Sequence, residues 1–255
     1  MNASNTTKIN RLLQMQPSGA VLLSSWMKQN GISYELQRNY KESGWFDAVG
    51  TGAMIRKGET PTWQSALHGI CNQSASKIHV GAKNALALHG YAHYMEFNQQ
   101  QIELFSERGV ALPTWFIKYD WSVHISLHRT NFLPSNLGLL DYQEKQFSFS
   151  ISTPARAMME YLFLSTKDYE FIEGYQIMES LTLLRPSDVQ ELLENCHSVK
   201  VVRLFLFMAD KANHSWMKYI DIKKLNFGVG KRNLVKQGVY IDSFQITIPK
   251  ELTAL

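Results

Sequence analysis

The chain has 255 residues, 45% hydrophobic and 19% charged, with a net charge of +4 at pH 7; this balance belongs to a soluble globular protein with one large core or two domains of ordinary size. No run approaches the length of apolar sequence that a membrane-spanning helix needs, and Met1–Lys8 lacks the apolar core of a secretion signal, so no membrane and a cytoplasmic location are expected. The charge is uneven: residues 1–95 hold nine Lys or Arg against four acids, while the remainder is almost neutral, so polyanions are attracted to the first part and not to the second.

Residues 7–15 place Ile9, Leu12 and Leu13 on one helical face, and Pro17-Ser-Gly19 ends that helix. Val21-Leu22-Leu23 then leads into a second helix, Ser25–Asn30, with Ser24 or Ser25 as its cap. Gly31 supplies a turn and Ser33 caps a third helix, Ser33–Ser43, whose Leu36 and Tyr40 face inward; Gly44 stops it. Two short apolar strands follow around Gly50-Thr51-Gly52. Helix, turn, helix and hairpin in this order read as a winged helix-turn-helix, whose second helix normally enters a DNA major groove.

Thr60-Pro61 predicts a helix running to Cys71, Lys77–Gly81 a short strand, and Lys83–His89 a further helix ending at Gly90. We place the first domain at 1–95, a winged helix with a helical extension, and the second at 96–255. The second reads as extended segments at Gln101–Ser106, Thr114–Lys118, Ser122–His128, Leu137–Tyr142 and Gln146–Ile151. Helices follow from Thr153-Pro154 to Leu164 and over Asp168–Leu183, Ser187–Asn195 and Val199–Ala209, with a last strand at Val239–Ile248. Strands, then helices, then a strand imply an α/β or α+β domain built on one mixed sheet.

On the third helix, Tyr34, Gln37, Arg38 and Lys41 are the candidates for exposure. Arg38 suits guanine, Gln37 suits adenine and Lys41 suits phosphate; the plain alternative is a solvated helical face. Thr51 at the hairpin tip, with Arg56, Lys57 and Lys28, forms a candidate phosphate-contacting set. The histidines form no convincing metal site: His89 and His93 straddle Gly90, and His124 and His128 are a pair without further ligands. Cys71 and Cys196 read as buried thiols. Gly228-Val-Gly230 before Lys231-Arg232 lacks the Lys-Ser/Thr ending of a Walker loop, and neither a nucleophile elbow nor a two-metal carboxylate pair is visible. Neither an enzyme nor a cofactor is expected; the rival readings are a stand-alone winged-helix transcription regulator and a winged helix used only as a protein-binding adaptor.

Longer landmarks run through the chain: Gly44-Trp45-Phe46, Gly50–Arg56, Gly58-Glu-Thr-Pro-Thr-Trp63, Ala66-Leu67, His79-Val-Gly81 into Ala85–Tyr94, Ser152-Thr-Pro-Ala-Arg-Ala-Met-Met-Glu160, and Asn226-Phe-Gly-Val-Gly-Lys-Arg232. In order and spacing they resemble the AbiEi family of antitoxins from type IV toxin–antitoxin, or abortive-infection, systems. The resemblance implies an N-terminal winged helix that represses its own operon by binding operator DNA. It also implies a C-terminal domain opposing a nucleotidyltransferase-class toxin, without a stable complex between the two. The uncharged wing tip departs from members that carry a basic residue there. In the second domain, Arg156 requires an acid, a carbonyl cluster or an anion. Lys223, Lys224, Lys231, Arg232 and Lys236 form a basic cluster suited to DNA flanks or an RNA-related partner, or else a solvated surface. Operator binding is expected at two half-sites, by a chain that can be monomeric in solution and pair on DNA.

Overall fold

Helix α1 (Lys8–Gln14) buries Ile9 and Leu12, and strand β1 (Leu22–Leu23) passes directly into α2 (Ser24–Gln29). After a turn through Gly31 (φ +86°) comes α3 (Tyr34–Glu42), and then the hairpin of β2 (Phe46–Gly50) and β3 (Ala53–Arg56). The three strands form one sheet in the order β1-β3-β2, so the winged helix-turn-helix read from the sequence is the observed fold of this part. Leu23 precedes α2 with no side-chain cap, and Ser24 lies inside the helix rather than capping it. These observations come from a computed structural model describing residues 8–91 and 101–254.

The next helix, α4 (Trp63–Gln73), starts two residues later than Thr60-Pro61 suggested. Thr62 accepts from the Ser65 amide and the Ser65 hydroxyl accepts in return from the Thr62 amide, a reciprocal cap that Thr60 does not form. Strand β4 (Ile78–Val80) and α5 (Ala82–Leu88) follow. Then come β5 (Gln101–Ser106), α6 (Thr114–Lys118), β6 (His124–Arg129), β7 (Leu139–Glu144) and β8 (Phe147–Ser152). The segment 114–118 was expected to be extended and is helical. Pro113 holds φ near the helical value at its start, and adjacent Trp115 and Phe116 are both buried. Neighbours on a strand point to opposite faces, whereas a helical turn delivers both to one core.

The five-stranded sheet runs β6-β5-β4-β8-β7 and is mixed: β4 pairs antiparallel with β5 and parallel with β8. Strand β4 is therefore the middle strand of the second sheet, although it precedes the boundary expected near residue 95, which itself lies outside the described residues. One face of the sheet (Ile78, Val80, Ile102, Leu104, Phe149, Ile151) packs with Ala66, Leu67 and Ile70 of α4, Trp115 and Phe116 of α6, and Val21, Leu23 and Ala53 of the winged helix. The other face meets α5 and α7 (Pro154–Leu164), backed by α8 (Asp168–Ser180), α9 (Pro186–Glu194) and α10 (Val199–Lys211) in a larger core. As expected, Thr153 precedes α7 with Pro154 at its first position.

A third, small sheet closes the chain: β9 (Arg232–Asn233), β10 (Gly238–Ile241) and β11 (Ile246–Pro249), in the order β10-β11-β9, before α11 (Glu251–Ala254). The single strand expected over 239–248 is an antiparallel hairpin. The chain reverses at Asp242–Phe244, with Gln245 in the left-handed region (φ +52°), which accounts for the break in alternation along this segment. The architecture is α+β, with an N-terminal winged helix docked on one side of a helix-covered mixed sheet.

Candidate nucleic-acid interface

The turn between α2 and α3 is held from inside. Gln37 is buried, and its amide nitrogen donates to the carbonyls of Ser24 and Ile32, both at 2.9 Å. The Ser33 hydroxyl accepts from the Leu36 amide at 3.2 Å, as the sequence implied, while Leu36 and Tyr40 pack on the core of Met27, Ile32, Phe46 and Met54. Gln37 is thus a correction: it fixes the angle between the two helices and has no reach to a base. The sequence reading missed this because a glutamine on a polar-looking helix carries no signal of two carbonyls waiting beneath it.

With Gln37 inside, Lys41, Tyr34 and Arg38 remain exposed and fall within about 60° of one another at 100° per residue. Lys28, from α2, sits 5.0 Å above the Tyr34 ring and extends this face. Arg38 meets Glu42 at 3.8 Å with both side chains about two-thirds exposed, a pairing weak enough to yield to a base edge.

The wing is divided. Thr51 is exposed at its tip, and Gly52 turns at φ +89°. The residue just before the tip is packed against the second unit: Gly50 is half-buried, and a Cβ on it would lie 2.7 Å from that of Trp115. Lys57 is exposed and donates to Asp47 at 2.8 Å; that hydrogen bond holds the Asp47 carboxyl below its ordinary range. Arg56 is a second correction. Its guanidinium donates to the carbonyls of Leu13 and, at 3.0 Å, Gln16, closing the C-terminal end of α1, so it is occupied rather than offered to phosphate.

Arg156 lies in the interior rather than on an antitoxin surface. Its Nε donates to Glu160 at 2.8 Å, and Nη1 donates to the carbonyls of Pro134 (2.6 Å) and Leu137. Both the acid and the carbonyl cluster that the sequence called for are present. Glu160 is fully buried and also accepts from His79 Nε2 (2.8 Å), the Ser152 hydroxyl (2.7 Å) and the Ala82 amide (3.1 Å). Burial pushes this carboxyl up, but the charge and hydrogen bond of His79, the Arg156 charge and the Ser152 hydroxyl outweigh it and hold the group down at about 2.

Lys223, Lys224, Lys231, Arg232 and Lys236 are all exposed. Behind them lies a residue the sequence reading missed: Arg203, fully buried on α10, donates to the carbonyls of Phe227 (2.7 Å), Gly230 and Gln245 (both 2.8 Å). Its signal was available, a lone cation inside Val201-Val-Arg-Leu-Phe-Leu-Phe207. Burial pushes the thiols of Cys71 and Cys196 up to about 11, which keeps them protonated. Among the described residues no group of three His, Cys, Asp or Glu is placed to hold a metal, and no helix is long and apolar enough to cross a membrane. His89 Nε2 lies 2.9 Å from the Ser152 carbonyl, which can only accept, so Nε2 carries the proton and donates; His93 lies outside the described residues.

Residues 5–97 match the family described as "Transcriptional regulator, AbiEi antitoxin N-terminal domain", and residues 99–249 match "Transcriptional regulator, AbiEi antitoxin, Type IV TA system". No curated protein matches the chain. Among solved structures, the RV2827C protein from Mycobacterium tuberculosis is similar with a TM-score of 0.58 at 12% identity, over 90% of this chain and 86% of that one. At that identity the likeness shows a shared fold.

Proposed function

Because the chain belongs to the AbiEi family of type IV toxin–antitoxin antitoxins and transcriptional regulators, we propose that it represses its own operon by seating α3 in the operator major groove. In this reading it also opposes a nucleotidyltransferase-class toxin without forming a stable complex. The observation that carries the DNA-binding part is the locked α3. Gln37 fixes its angle from inside while Lys41, Tyr34 and Arg38 stand together on the outside, joined by Lys28. Arg38 reads a base, and Lys28, Lys41 and Lys57 position the duplex on its phosphates. Thr51 approaches the adjacent backbone without adding charge. Tyr34 is the one large hydrophobic side chain exposed on α3, too little for the apolar face that a protein-binding adaptor would use.

One winged helix covers only a few base pairs, so two half-sites are proposed, with pairing on DNA. Titrating labelled upstream duplex against scrambled duplex at two salt concentrations tests the reading, followed by footprinting and sedimentation for stoichiometry. Preferential binding that weakens steeply with salt is expected. Equal, negligible binding to both duplexes overturns it. For the toxin, co-expression of the full chain with a cognate nucleotidyltransferase-class toxin should rescue growth, and an Arg38→Ala chain should still rescue because α3 serves only repression.

A further inference from the structure

The winged helix and the C-terminal basic cluster lie on opposite sides of the five-stranded sheet. Val21, Leu23 and Ala53 of the winged helix share a core with α4, α6 and one sheet face. Ile220, Leu225, Val235 and Phe244, which anchor the basic stretch, belong to the core on the other face, beyond α7 and packed with α10. Sheet and helix layers of about 10 Å each put roughly 30 Å of protein between the two. The basic stretch is therefore not a continuation of the duplex site on α3.

From Lys218 to Lys236 the chain carries six cations, all exposed, and one acid. That acid, Asp221, accepts from the Lys223 amide (3.1 Å) and meets Lys224 at 3.9 Å. The backbone is fixed at several points. Arg203 clamps the carbonyls of Phe227 and Gly230, and Gln190 brackets Asp221 with bonds to its amide (2.8 Å) and carbonyl (3.3 Å). Aromatic rings stand among the cations. Tyr219 is 66% exposed with Lys218 5.0 Å from its centroid, and Lys231 lies 4.6 Å over Tyr240.

We infer that residues 218–236 form a second, independent binding surface for a single-stranded polynucleotide, occupied while α3 holds duplex. Cations carried on a pre-fixed backbone follow the phosphates, and an exposed ring beside them offers a stacking platform for an unpaired base. A duplex hides its base faces, and this stretch has only single-turn helical segments, Ser215–Tyr219 and Ile222–Lys224, to enter a groove. An acidic protein would need a gathered apolar core, whereas the exposed Tyr219, Ile222 and Val229 are interspersed along the chain with cations and buried anchors. The inference stands apart from the operator reading, since neither surface uses the other's residues.

The test is fluorescence anisotropy of the full chain with labelled RNA and DNA single strands of about 12 nucleotides at about 50 mM salt, with and without saturating upstream duplex. Binding of a strand is expected in both conditions, and the two arms tell RNA from DNA. Replacing Lys231 and Arg232 together by Gln should weaken it about tenfold or more and flatten the log–log salt slope by about 1.4. Tyr219→Leu should weaken it about fivefold or more at an unchanged slope, and Arg38→Ala should leave it alone. These side chains are exposed, and unchanged melting curves verify the fold of each variant. No strand binding, displacement of the strand by duplex, or equal binding of polyglutamate with no effect of Tyr219→Leu would each overturn the inference. A chain that binds strands but not upstream duplex supports this surface while refuting the operator proposal.

Discussion

His79 and Glu160, 81 residues apart in sequence, meet at 2.8 Å between the middle strand of the sheet and α7, both almost wholly excluded from solvent. The contact gives a physical meaning to two separated landmarks of the sequence. His79-Val-Gly81 and Ser152–Glu160 are halves of one buried ion-pair network that locks β4 and α5 to α7. Gly81 belongs to it sterically, because a Cβ there would lie 2.2 Å from the Glu160 carboxylate.

This network predicts a pH dependence. The Glu160 carboxyl has its ordinary value near 4.5 when unfolded and about 2 when folded. A depressed folded value stabilises the protein above the unfolded one, and that stabilisation is lost as the pH falls from about 4.5 towards 2. Thermal melts between pH 7 and 2.5 should show this loss. Glu160→Gln should be destabilised by roughly 3–5 kcal/mol at pH 7, since Arg156 is left buried without its acid, and should lack the acid-limb decline attributable to this group. Parallel melting curves for the two proteins would refute the assignment.

Gln37 and Arg38, adjacent on α3, should fail differently. Arg38→Ala should leave the melting temperature unchanged and reduce discrimination between operator and scrambled duplex by about 1–3 kcal/mol. Gln37→Ala should lower stability by about 1–3 kcal/mol, because two carbonyls lose their donor, and weaken binding to every duplex. Binding isotherms paired with denaturant titrations separate the two. A Gln37→Ala chain of normal stability that loses only sequence discrimination would return Gln37 to the reading face.

The wing predicts a gain and a loss. Thr51→Arg adds a cation to an exposed tip and should steepen the salt dependence of duplex binding by about 0.9 in log–log slope. Arg56→Ala should instead destabilise the fold by about 1–3 kcal/mol, through the unsatisfied end of α1. Salt titrations and chemical denaturation read these out. An Arg56→Ala chain that keeps its stability but loses duplex affinity would show that the side chain reaches phosphate after all.

Dissection of the chain should be sensitive to where it is cut. A fragment of residues 96–255 lacks β4, the strand that joins the two halves of the sheet, and should be poorly soluble and protease-sensitive. A fragment of 63–255 keeps α4, β4 and α5 and should resist proteolysis better. If 96–255 resists proteolysis as well as the full chain, the sheet does not require its middle strand.

Sequence alone determined the helix-turn-helix, the hairpin, the boundaries of β5 and α7 and the mixture of helices with a sheet, because each rests on signals close together in the chain. Gly31, the Ser33 cap, Gly44, the alternation of β8 and the Thr153-Pro154 start act on their immediate neighbours. Tertiary structure alone decided which polar residues face outward. Gln37 turns inward to the Ser24 carbonyl, Arg56 to Leu13, Glu160 to His79, and Arg203 to Gly230 and Gln245. Those partners stand 13 to 81 residues away, beyond any local period, and each buried polar group is held inside by the cost of leaving its partner without a hydrogen bond.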